Sequence, residues 1–513
     1  MTHGAGSARS DVRVWRLVAA AIGCIVGAEA GLEVGWPAVR LGALAGLASA
    51  GAAAVLTRRH GAGCGRRRTF LIWLTWFLVG AGLAALSAGW HQHRLRDPTL
   101  RSLAAGRASV QGWLRVARDP VPVTTATGGR MWLVDVSVDA VSTTGGVRHV
   151  GKPALVMAFE RSWAGLSPGQ LVDADVTVRR PRPGDHVAAV LDAAGPPRLI
   201  GRPPWWQRAA SAVRRDLARA CGRLPPAERA LVPALVLGVV TPLPADLTAQ
   251  FRTTGLSHLI AVSGENLAIL FVAVAVLVRR LGLPRWMRGG VLAATIVAFV
   301  VVARPSASVL RAAVMGSVAV LALLTGRHRR PLPALSLAVI TLLLADPFLV
   351  DDLGFQLSVA ATAGLVLGVG PLQRWLRRWL PRRAALAVAV PLAAQLACTP
   401  LLLGAFGRLT PYAVPANLVA GIAVAPATLV GVAAAATAWL CPAVAATLAL
   451  VAAAPAAWIV ETARTFASLP GSNAAASATG LGGVVVVLAL GSMFAAAGRL
   501  RRPRRSARAM LPP

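Results

Sequence analysis

The sequence predicts a polytopic α-helical membrane protein with a small β-rich domain inserted between two groups of helices. Of its 513 residues, 56% are hydrophobic and 14% are charged, against roughly 25% charged residues in soluble domains. Apolar runs recur along the chain at about the 20-residue length that a helix needs to cross the hydrocarbon core. These runs stop between residues 105 and 203, where short alternating stretches replace them.

The formal net charge of +33 has two explanations. Lys and Arg that neutralise phosphates release counterions, so a strongly basic chain is suited to nucleic acid. Short cytoplasmic loops of membrane proteins are also enriched in Lys and Arg. Charge alone therefore does not establish DNA binding. The five cysteines are scattered without CxxC spacing, which predicts neither a disulfide framework nor a zinc site, and no cofactor is expected.

Three spans are predicted in the amino-terminal block, residues 1–104, near 14–32, 38–57 and 70–90. The loop between the second and third spans holds five arginines, at positions 58, 59 and 66–68. The enrichment of basic residues in cytoplasmic loops places this loop and the amino terminus in the cytoplasm. The segment after the third span is then extracytoplasmic.

Residues 105–203 are predicted to form this extracytoplasmic domain. Apolar residues alternate with polar ones along 132–138, and further strand candidates lie at 108–117, 153–160 and 171–178. Period-two alternation indicates half-buried strands. The length suits a small β-barrel of about five strands, of the OB type. Residues 101–203 hold thirteen Arg or Lys and eight Asp or Glu, a net charge of +5 that loop-orientation rules do not explain.

Residues 204–245 should return the chain to the bilayer. Tryptophans and leucines interleave with arginines from 204 to 225, as in an amphipathic helix on a membrane surface. The apolar stretch 230–240 is too short to span and precedes two prolines, so it is interpreted as interfacial or re-entrant.

Nine further spans bring the total to about twelve and form the second helical domain, residues 246–500. Four of the five turns that this topology places in the cytoplasm hold Arg clusters, which agrees with the orientation rule. Residues 501–513 form a basic cytoplasmic tail. The nine spans lie near 259–278, 289–303, 308–325, 333–349, 354–373, 384–407, 412–438, 443–466 and 479–498.

A dense polar cluster enters the first of these spans, in the stretch 255–266. It contains Ser257, His258, Ser263, Glu265 and Asn266 between and beyond two glycines, Gly255 and Gly264. Unpaired polar groups are costly in hydrocarbon, so they face a partner or a water-filled cavity. A broken, pore-lining helix is one interpretation, and helix packing through small and polar residues is the other.

Two arginines, Arg304 and Arg311, are seven residues apart and are predicted to share one helical face. An intramembrane Arg can bind phosphate through paired donors. It can equally neutralise an acid such as Glu265, Asp346 or Asp352. The residues leave both interpretations open.

A third block contains Asp352 and Gln356 in the run Asp351-Asp352-Leu353-Gly354-Phe355-Gln356-Leu357-Ser358. Acids at a helix start are favoured by the helix dipole alone, so Asp352 is as readily a cap as part of a site. Gln395 and Asn417 are isolated polar residues within later spans.

The order of these blocks resembles the ComEC family of competence proteins across roughly residues 230–500. The matching motifs are Gly-Leu-Ser-His-Leu-x-Ala-x-Ser-Gly, Arg-Pro with Arg-Ala, Gly-Arg, Asp-Pro and Asp-x-Gly-Phe-Gln-Leu-Ser. The resemblance implies a channel in the bacterial cytoplasmic membrane that imports single-stranded DNA during natural transformation. The outer domain would receive DNA, and the helical domain would pass one strand inward. Glu265 departs from the family pattern. An added carboxylate in a phosphate path would repel DNA unless it is neutralised.

The chain resembles a short form of that family, without its metallo-β-lactamase-like domain. None of its eight histidines belongs to a His-x-His-x-Asp-His motif, so no zinc nuclease is expected in the sequence given. The expected partners are a helix-hairpin-helix DNA receptor, a cytoplasmic ATPase and a separate nuclease, and the channel could be an oligomer.

Three functions compete: a DNA channel, a small-solute secondary transporter and an intramembrane hydrolase. A transporter would use broken helices and buried charges, although no internal repeat is evident. A hydrolase would need Ser263, His258 and Glu265 together, yet His258 and Ser263 would lie about 140° apart on a regular helix. The DNA-path candidates are Ser257, His258, Ser263, Glu265, Asn266, Arg304, Arg311, Asp352, Gln356, Gln395 and Asn417. The outer-domain candidates, chosen for aromatic stacking and basic contacts, are Trp113, Trp132, Arg130, Lys152 and Trp163.

Overall fold

The computed structural model describes most of the chain and divides it into two compact units. It describes residues 3–33, 48, 51, 65–125, 128–143, 145–182, 184–239, 244–260, 263–326, 330–407 and 410–472, with side chains from Trp15 and Thr69 onward in the first two long stretches. The first unit comprises Met1–Leu217, Val297–Arg304 and Ser336–Val350, and the second comprises Ala218–Ile296, Pro305–Leu335 and Asp351–Pro513. The predicted spans at 38–57 and 479–498 and the tail 501–513 lie outside the described residues.

Two long helices open the first unit, α1 (His3–Glu33) and α2 (Gly65–Leu95), followed by the short α3 (Pro98–Ala105). Their apolar stretches, Trp15–Glu33 and Thr69–Leu95, are long enough to cross a membrane. A Cβ atom on Gly27 would overlap the carbonyl group of Ala81. Small residues therefore let the two helix backbones approach closely. Helices in a membrane associate through such close packing, because the hydrophobic effect does not drive them together in lipid.

A seven-stranded sheet follows in the same unit. Its strands are β1 (Ser109–Val116), β2 (Val121–Thr124), β3 (Arg130–Thr143), β4 (Gly146–Ala158), β5 (Leu171–Arg179), β6 (Ala189–Ala193) and β7 (Arg198–Leu199). Neighbours run β1-β3-β4-β6-β5, and β5 pairs again with β1, so the pairings form a ring. A ring of pairings does not by itself make a barrel, and the predicted OB-type barrel is not established.

The strand count is higher than the predicted value of about five. The four predicted strands correspond to β1, β3, β4 and β5, whereas β2, β6 and β7 are only four, five and two residues long. Strands this short hold too few residues for alternation to stand out. Along β3 the alternate side chains of Val134, Val136 and Val138 are fully or almost fully buried, as the period-two pattern requires.

Helix α4 (Trp205–Ala220) closes the continuous part of the first unit and is amphipathic, as its sequence predicts. It buries Ala210, Ser211 and Leu217 on one side and exposes Trp205 and Trp206 on another. Ten further helices follow. They are α5 (Pro226–Leu237), α6 (Ala245–Thr253), α7 (Gly264–Arg280), α8 (Arg285–Ala303), α9 (Ala307–Leu324), α10 (Pro331–Ala345), α11 (Leu353–Leu376), α12 (Arg382–Phe406), α13 (Ala413–Thr437) and α14 (Pro442–Ala467).

By length and composition, eight helices in the described part of the chain could cross a membrane: those of α1, α2, α8, α9 and α11–α14. The multi-pass helical architecture predicted from the sequence is therefore confirmed. Two predicted spans are shorter than expected, because α7 has 17 residues and α10 has 15. Helix α7 begins at Gly264 rather than near residue 259, since the chain before it is irregular.

Helix α5 corresponds to the stretch interpreted as interfacial or re-entrant. Its residues from Ala230 to Leu237 are all buried, and it packs against α13 and α14. A Cβ atom on Gly431 of α13 would overlap the Val236 side chain. Protein therefore covers every face of this stretch. Whether the helix is interfacial or re-entrant in the membrane stays a prediction.

The contact between α5 and α13 predicts a large effect of one added methyl group. Gly431→Ala should destabilise the protein by about 1–3 kcal/mol, the usual cost of overpacking. Gly421→Ala on the same helix is the matched control, since nothing lies within 4 Å of its added Cβ and Ala favours helix by up to about 1 kcal/mol. The measurement is the thermal unfolding midpoint of the purified chain in detergent. Equal midpoints for the two variants would refute the tight contact.

Candidate functional site

The polar segment that the sequence predicts to enter α7 has an irregular backbone. Gly255 has a left-handed φ of +71°, and a short 3-10 turn covers Ser257–Leu259. Ser263 is extended, with φ −102° and ψ 159°, and its side chain does not cap the helix. The prediction of a broken helix in this segment therefore agrees with the backbone.

A serine–arginine cluster, formed by Gly264, Ser308, Arg311 and Ser358, joins three helices at this point. The Gly264 N–H at the start of α7 donates to Ser308 Oγ of α9 at 3.0 Å. Ser308 Oγ lies 3.1 Å from Ser358 Oγ of α11. Arg311 Nε, one turn further along α9, donates to Ser358 Oγ at 2.8 Å. The cluster is thus a continuous polar seam through an otherwise apolar group of helices.

Arg311 is the only charged member of the cluster, and only 8% of it is exposed. Among the described residues, no Asp or Glu carboxylate lies within 4.0 Å of its guanidinium. Its Nη1 atom donates to Met315 Sδ at 3.3 Å, a weak acceptor. Burying a charge costs several kcal/mol unless an opposite charge and hydrogen bonds compensate it. Arg311 has partial hydrogen bonding and no countercharge.

The seam is closely packed against α7. A Cβ atom on Gly264 would lie 2.7 Å from Arg311 Nη2 and 3.0 Å from the Ala312 Cβ. Only glycine brings the first residue of α7 this near to the guanidinium. The Arg311 side chain therefore lies beside the positive end of the α7 dipole, where two positive fields coincide.

Two other predicted residues, Ser263 and Asn266, lie in the same turn. Asn266 is completely buried, and its Nδ2 donates to the Leu235 carbonyl of α5 at 2.6 Å. The buried Asn266 Oδ1 and Ser263 Oγ atoms have no hydrogen-bond partner among the described residues. Asn266 thus ties α7 to α5, and Ser263 has a hydroxyl with unused hydrogen-bonding capacity.

Glu265, His258 and Ser257 are exposed and lie outside the seam. Glu265 is in the first turn of α7, where a negative charge is favourable, and its charge acts on His258. The ring of His258 bonds to the Gly255 carbonyl at 3.2 Å. The Ser263 hydroxyl bonds to neither residue. The three residues of the hydrolase hypothesis therefore do not form a hydrogen-bonded triad in the described structure.

Arg304 does not share a helical face with Arg311, so that prediction is wrong. Helix α8 ends at Ala303 and α9 begins at Ala307, and Arg304 lies between them with a left-handed φ of +72°. It belongs to the first unit, where its Nε donates to Asp119 Oδ2 at 3.2 Å. The prolyl turn after Arg304 interrupts the periodicity on which the prediction relied.

Asp119 also accepts from a second arginine, Arg214 of α4, at 3.2 Å. Arg304 bonds in addition to Gln207 Oε1 and to Ser211 Oγ, the latter at 3.0 Å. Burial lowers the pKa of Arg214, and Asp119 opposes this while Arg304 adds to it. This charge cluster of Asp119, Arg214 and Arg304 holds the β1–β2 connection, α4 and the end of α8 together. Arg304 is a structural residue of the first unit.

The remaining helical candidates have local partners. The Asp352 carboxylate caps α11 by accepting from the Phe355 N–H at 2.6 Å, so the capping interpretation is correct. Gln356 is half-buried in the first turn of the same helix. Gln395 Nε2 is 3.5 Å from Thr410 Oγ1, and Asn417 Nδ2 bonds to the Ala413 carbonyl of its own helix at 2.7 Å.

In the outer sheet, Trp163 is a core residue. It is 0% exposed, and its Nε1 donates to the Gly195 carbonyl at 2.9 Å, so it presents no face to DNA. Trp132 is half-buried and packs against the core. Trp113 on β1 is also half-buried.

The two basic candidates of the outer sheet lie far apart. Arg130 begins β3, whereas Lys152 pairs with Val138 near its other end. At about 3.3 Å per residue, eight positions along β3 separate them by about 26 Å. They lie too far apart to bind the same nucleotide.

Sequence reasoning did not assign a role to Ser308, Ser358, Asp119 or Arg214. Ser358 ends the Asp-x-Gly-Phe-Gln-Leu-Ser block, and Ser308 precedes Arg311 by three positions, which places both on one face of α9. Both residues could therefore have been identified as candidates from the sequence. Asp119 carried none, because its partners Arg214 and Arg304 are 95 and 185 positions away.

Comparison with known proteins identifies the family. Residues 235–502, which are more than half of the chain and include the serine–arginine cluster, match the family model described as Competence protein. The chain belongs to the competence protein family. It is similar to ComE operon protein 3 of Bacillus subtilis (strain 168), with 30% identity over 195 residues. That match covers 38% of this chain and 24% of the relative, and no solved structure matches.

The ComEC-type resemblance inferred from the motif order is confirmed by both matches. The match spans about a quarter of the length of the curated relative. In this competence protein, the serine–arginine cluster lies inside the region that defines the family, and the Asp119 charge cluster lies largely before it.

The charge cluster of the first unit predicts unequal costs for two similar substitutions. Asp119→Asn should destabilise the protein by about 1–3 kcal/mol, because it removes the carboxylate charge that Arg214 and Arg304, both largely buried, share. Asp119 itself is 35% exposed, which keeps the cost below that of a fully buried pair. Asp139→Asn breaks only the exposed pair with Arg115 and should cost about 0–1 kcal/mol. Thermal unfolding of both variants checks this, and equal losses would contradict the structural role.

Proposed function

We propose that this competence protein is a channel that imports single-stranded DNA across the bacterial cytoplasmic membrane during natural transformation. The observation that carries the proposal is Arg311, a buried guanidinium without a carboxylate partner among the described residues of the apolar helical unit. Phosphates are the negative groups that a DNA strand would present to it, and Arg binds them well. Membership of the competence family supports the same conclusion.

The proposed path follows the polar seam. Arg311, Ser308 and Ser358 would lie along it, together with Ser263 at the start of α7. Ser257, His258 and Glu265 are exposed beside this helix start and would contribute to an entrance rather than to the seam. Asp352 and Gln356 remain path candidates because they belong to a motif shared with the family. Gln395 and Asn417 remain candidates only as isolated polar residues within helices.

The ring of strands in the first unit would receive the DNA, as an OB-like domain on the outer side of the membrane. Half-buried Trp132 and Trp113 are the remaining aromatic candidates for base stacking. Three arginines in and beside the sheet are already paired with acids, which lowers the basic charge available for DNA. These pairs are Arg115–Asp139, Arg118–Asp135 and Arg179–Asp192.

The proposal includes an orientation and partners. Both termini would be cytoplasmic, because the Arg-rich connections predicted from the sequence fall on that side. A helix-hairpin-helix receptor would deliver DNA, a cytoplasmic ATPase would drive strand movement, and a separate nuclease would degrade the second strand. Several copies could assemble in the membrane.

The decisive experiment is passive uptake of labelled DNA, supplied in excess outside the vesicles, by the purified full-length protein in liposomes, because a channel lets a strand move down its concentration gradient without the ATPase. Protected single-stranded DNA inside the vesicles is expected, with no import of the same sequence as a duplex. Import of a small solute without DNA would instead support the transporter hypothesis and refute the channel. Nuclease added outside the vesicles distinguishes imported from bound DNA.

A variant pair tests the role of Arg311 in a competent host. Arg311→Ala should lower transformation at least tenfold, because it removes the one uncompensated charge of the seam. Arg378→Ala is the matched control, since Arg378 is exposed and outside the seam, and should transform normally. Protein levels in the membrane are measured for both. Normal transformation by Arg311→Ala at normal levels would remove Arg311 from the path.

A further inference from the structure

We infer that Arg311, Ser263 and the first turn of α7 form a binding site for one phosphate group. The inference rests on the proposed function in one respect, which is that the natural ligand is a single phosphodiester of the strand in transit. The site itself is argued from donors, burial and charge, and it predicts binding of inorganic phosphate to the protein without DNA.

Unused donors provide the first argument. A guanidinium has five N–H groups, and the Arg311 bonds to Ser358 and Met315 use two of them. The described hydrogen bonds of Arg311 come from Nε and Nη1, and its Nη2 atom lies next to Gly264. A phosphate takes paired donors from one guanidinium. Arg311 therefore keeps a donor pair available on the side that faces α7.

The electrostatic field provides the second argument. Helix α7 has 17 residues, and its aligned peptide dipoles give its amino-terminal end a partial positive charge, although its first N–H, that of Gly264, already donates to Ser308 Oγ. The amino-terminal end of a helix favours bound anions. Here a guanidinium that is more than nine-tenths buried lies against the first residue of the helix. Both features favour an anion at the same place.

Ser263 provides the third argument. Its buried hydroxyl has no partner among the described residues and precedes the first residue of α7. A phosphodiester offers only acceptors, so it can accept from this hydroxyl and from Arg311, but not from Asn266 Oδ1. The Asn266 amide instead bonds to the Leu235 carbonyl and positions the start of α7.

A purely structural role for Arg311 explains less. Ser308 and Ser358 already connect α9 and α11 through their hydroxyls, so a neutral side chain at position 311 would suffice as a brace. A buried charge without a countercharge costs several kcal/mol. The nearest acid in sequence, Glu265, is exposed and not paired with Arg311 in the described structure. A bound anion supplies the missing charge.

The first test is binding of inorganic phosphate to the full-length protein in detergent, measured by equilibrium dialysis. Saturable binding is expected, with at least a tenfold loss in Arg311→Gln and no change in Arg378→Gln. Ser263→Ala should weaken binding severalfold. Because the Ser263 hydroxyl has no partner, its removal breaks no hydrogen bond, so this variant remains informative if Arg311→Gln does not fold. Unchanged binding in Ser263→Ala and in a folded Arg311→Gln would overturn the site.

The second test is the salt dependence of single-stranded DNA binding. Each neutralised phosphate of a single strand contributes about 0.7 to the slope of log affinity against log salt concentration. Arg311→Gln should lower the slope by about 0.7, whereas Ser263→Ala should weaken binding without changing it. Arg311→Lys should preserve the slope, because it keeps the charge, and still weaken binding through the lost bond to Ser358.

The two proposals can fail separately. Phosphate binding that depends on Arg311, together with no DNA import into liposomes, would support the site and refute the channel. Import of DNA with an unchanged salt slope in Arg311→Gln would support the channel and refute the site. Glycine 264 gives one more check, because Gly264→Ala places a Cβ 2.7 Å from Arg311 Nη2 and should lower phosphate affinity. Gly290→Ala, whose added Cβ meets nothing within 4 Å, should not.

Discussion

The absence of water around membrane-spanning helices decides which polar residues can be explained locally. Every polar group there needs a partner within the protein. The hydroxyls of Thr399 and Thr462 find this partner within their own helices, because each donates to the carbonyl four residues earlier. Asn417 does the same with Ala413. Arg311 has no such solution, since a backbone carbonyl cannot neutralise a charge. Its position beside Gly264 is therefore the feature of the helical unit that most requires a ligand.

Glycine serves two purposes in the same architecture. Gly27 and Gly431 let helix backbones approach closely, so their role is packing. Gly264 also permits close approach, but what it approaches is the Arg311 guanidinium. The physical property is the same in each case, namely the absence of a Cβ atom. Its consequence depends on whether the neighbour is apolar or charged.

Arg304 and Arg311 show how little sequence spacing reveals about a charge. One is paired with Asp119 across 185 positions, and the other has no carboxylate partner in the described chain. For the same reason, the formal net charge of +33 is a poor measure of the charge that could bind DNA. Arg115 and Arg179 of the sheet each have an acidic partner at 2.5 Å. The charge relevant to DNA is the unpaired part.

The sequence by itself determined the features that depend on local periodicity and length. These are the eight described helices long enough to cross a membrane, the four long strands, the amphipathic α4 and the order of motifs that identifies the family. It also indicated that α7 follows a broken segment, through Gly255. Only the tertiary structure decided that Trp163 is core, that α5 is buried, and that Arg304 is neutralised while Arg311 is not. Those outcomes depend on partners far away in the chain, and no local pattern records which distant residue will supply a hydrogen bond or a countercharge.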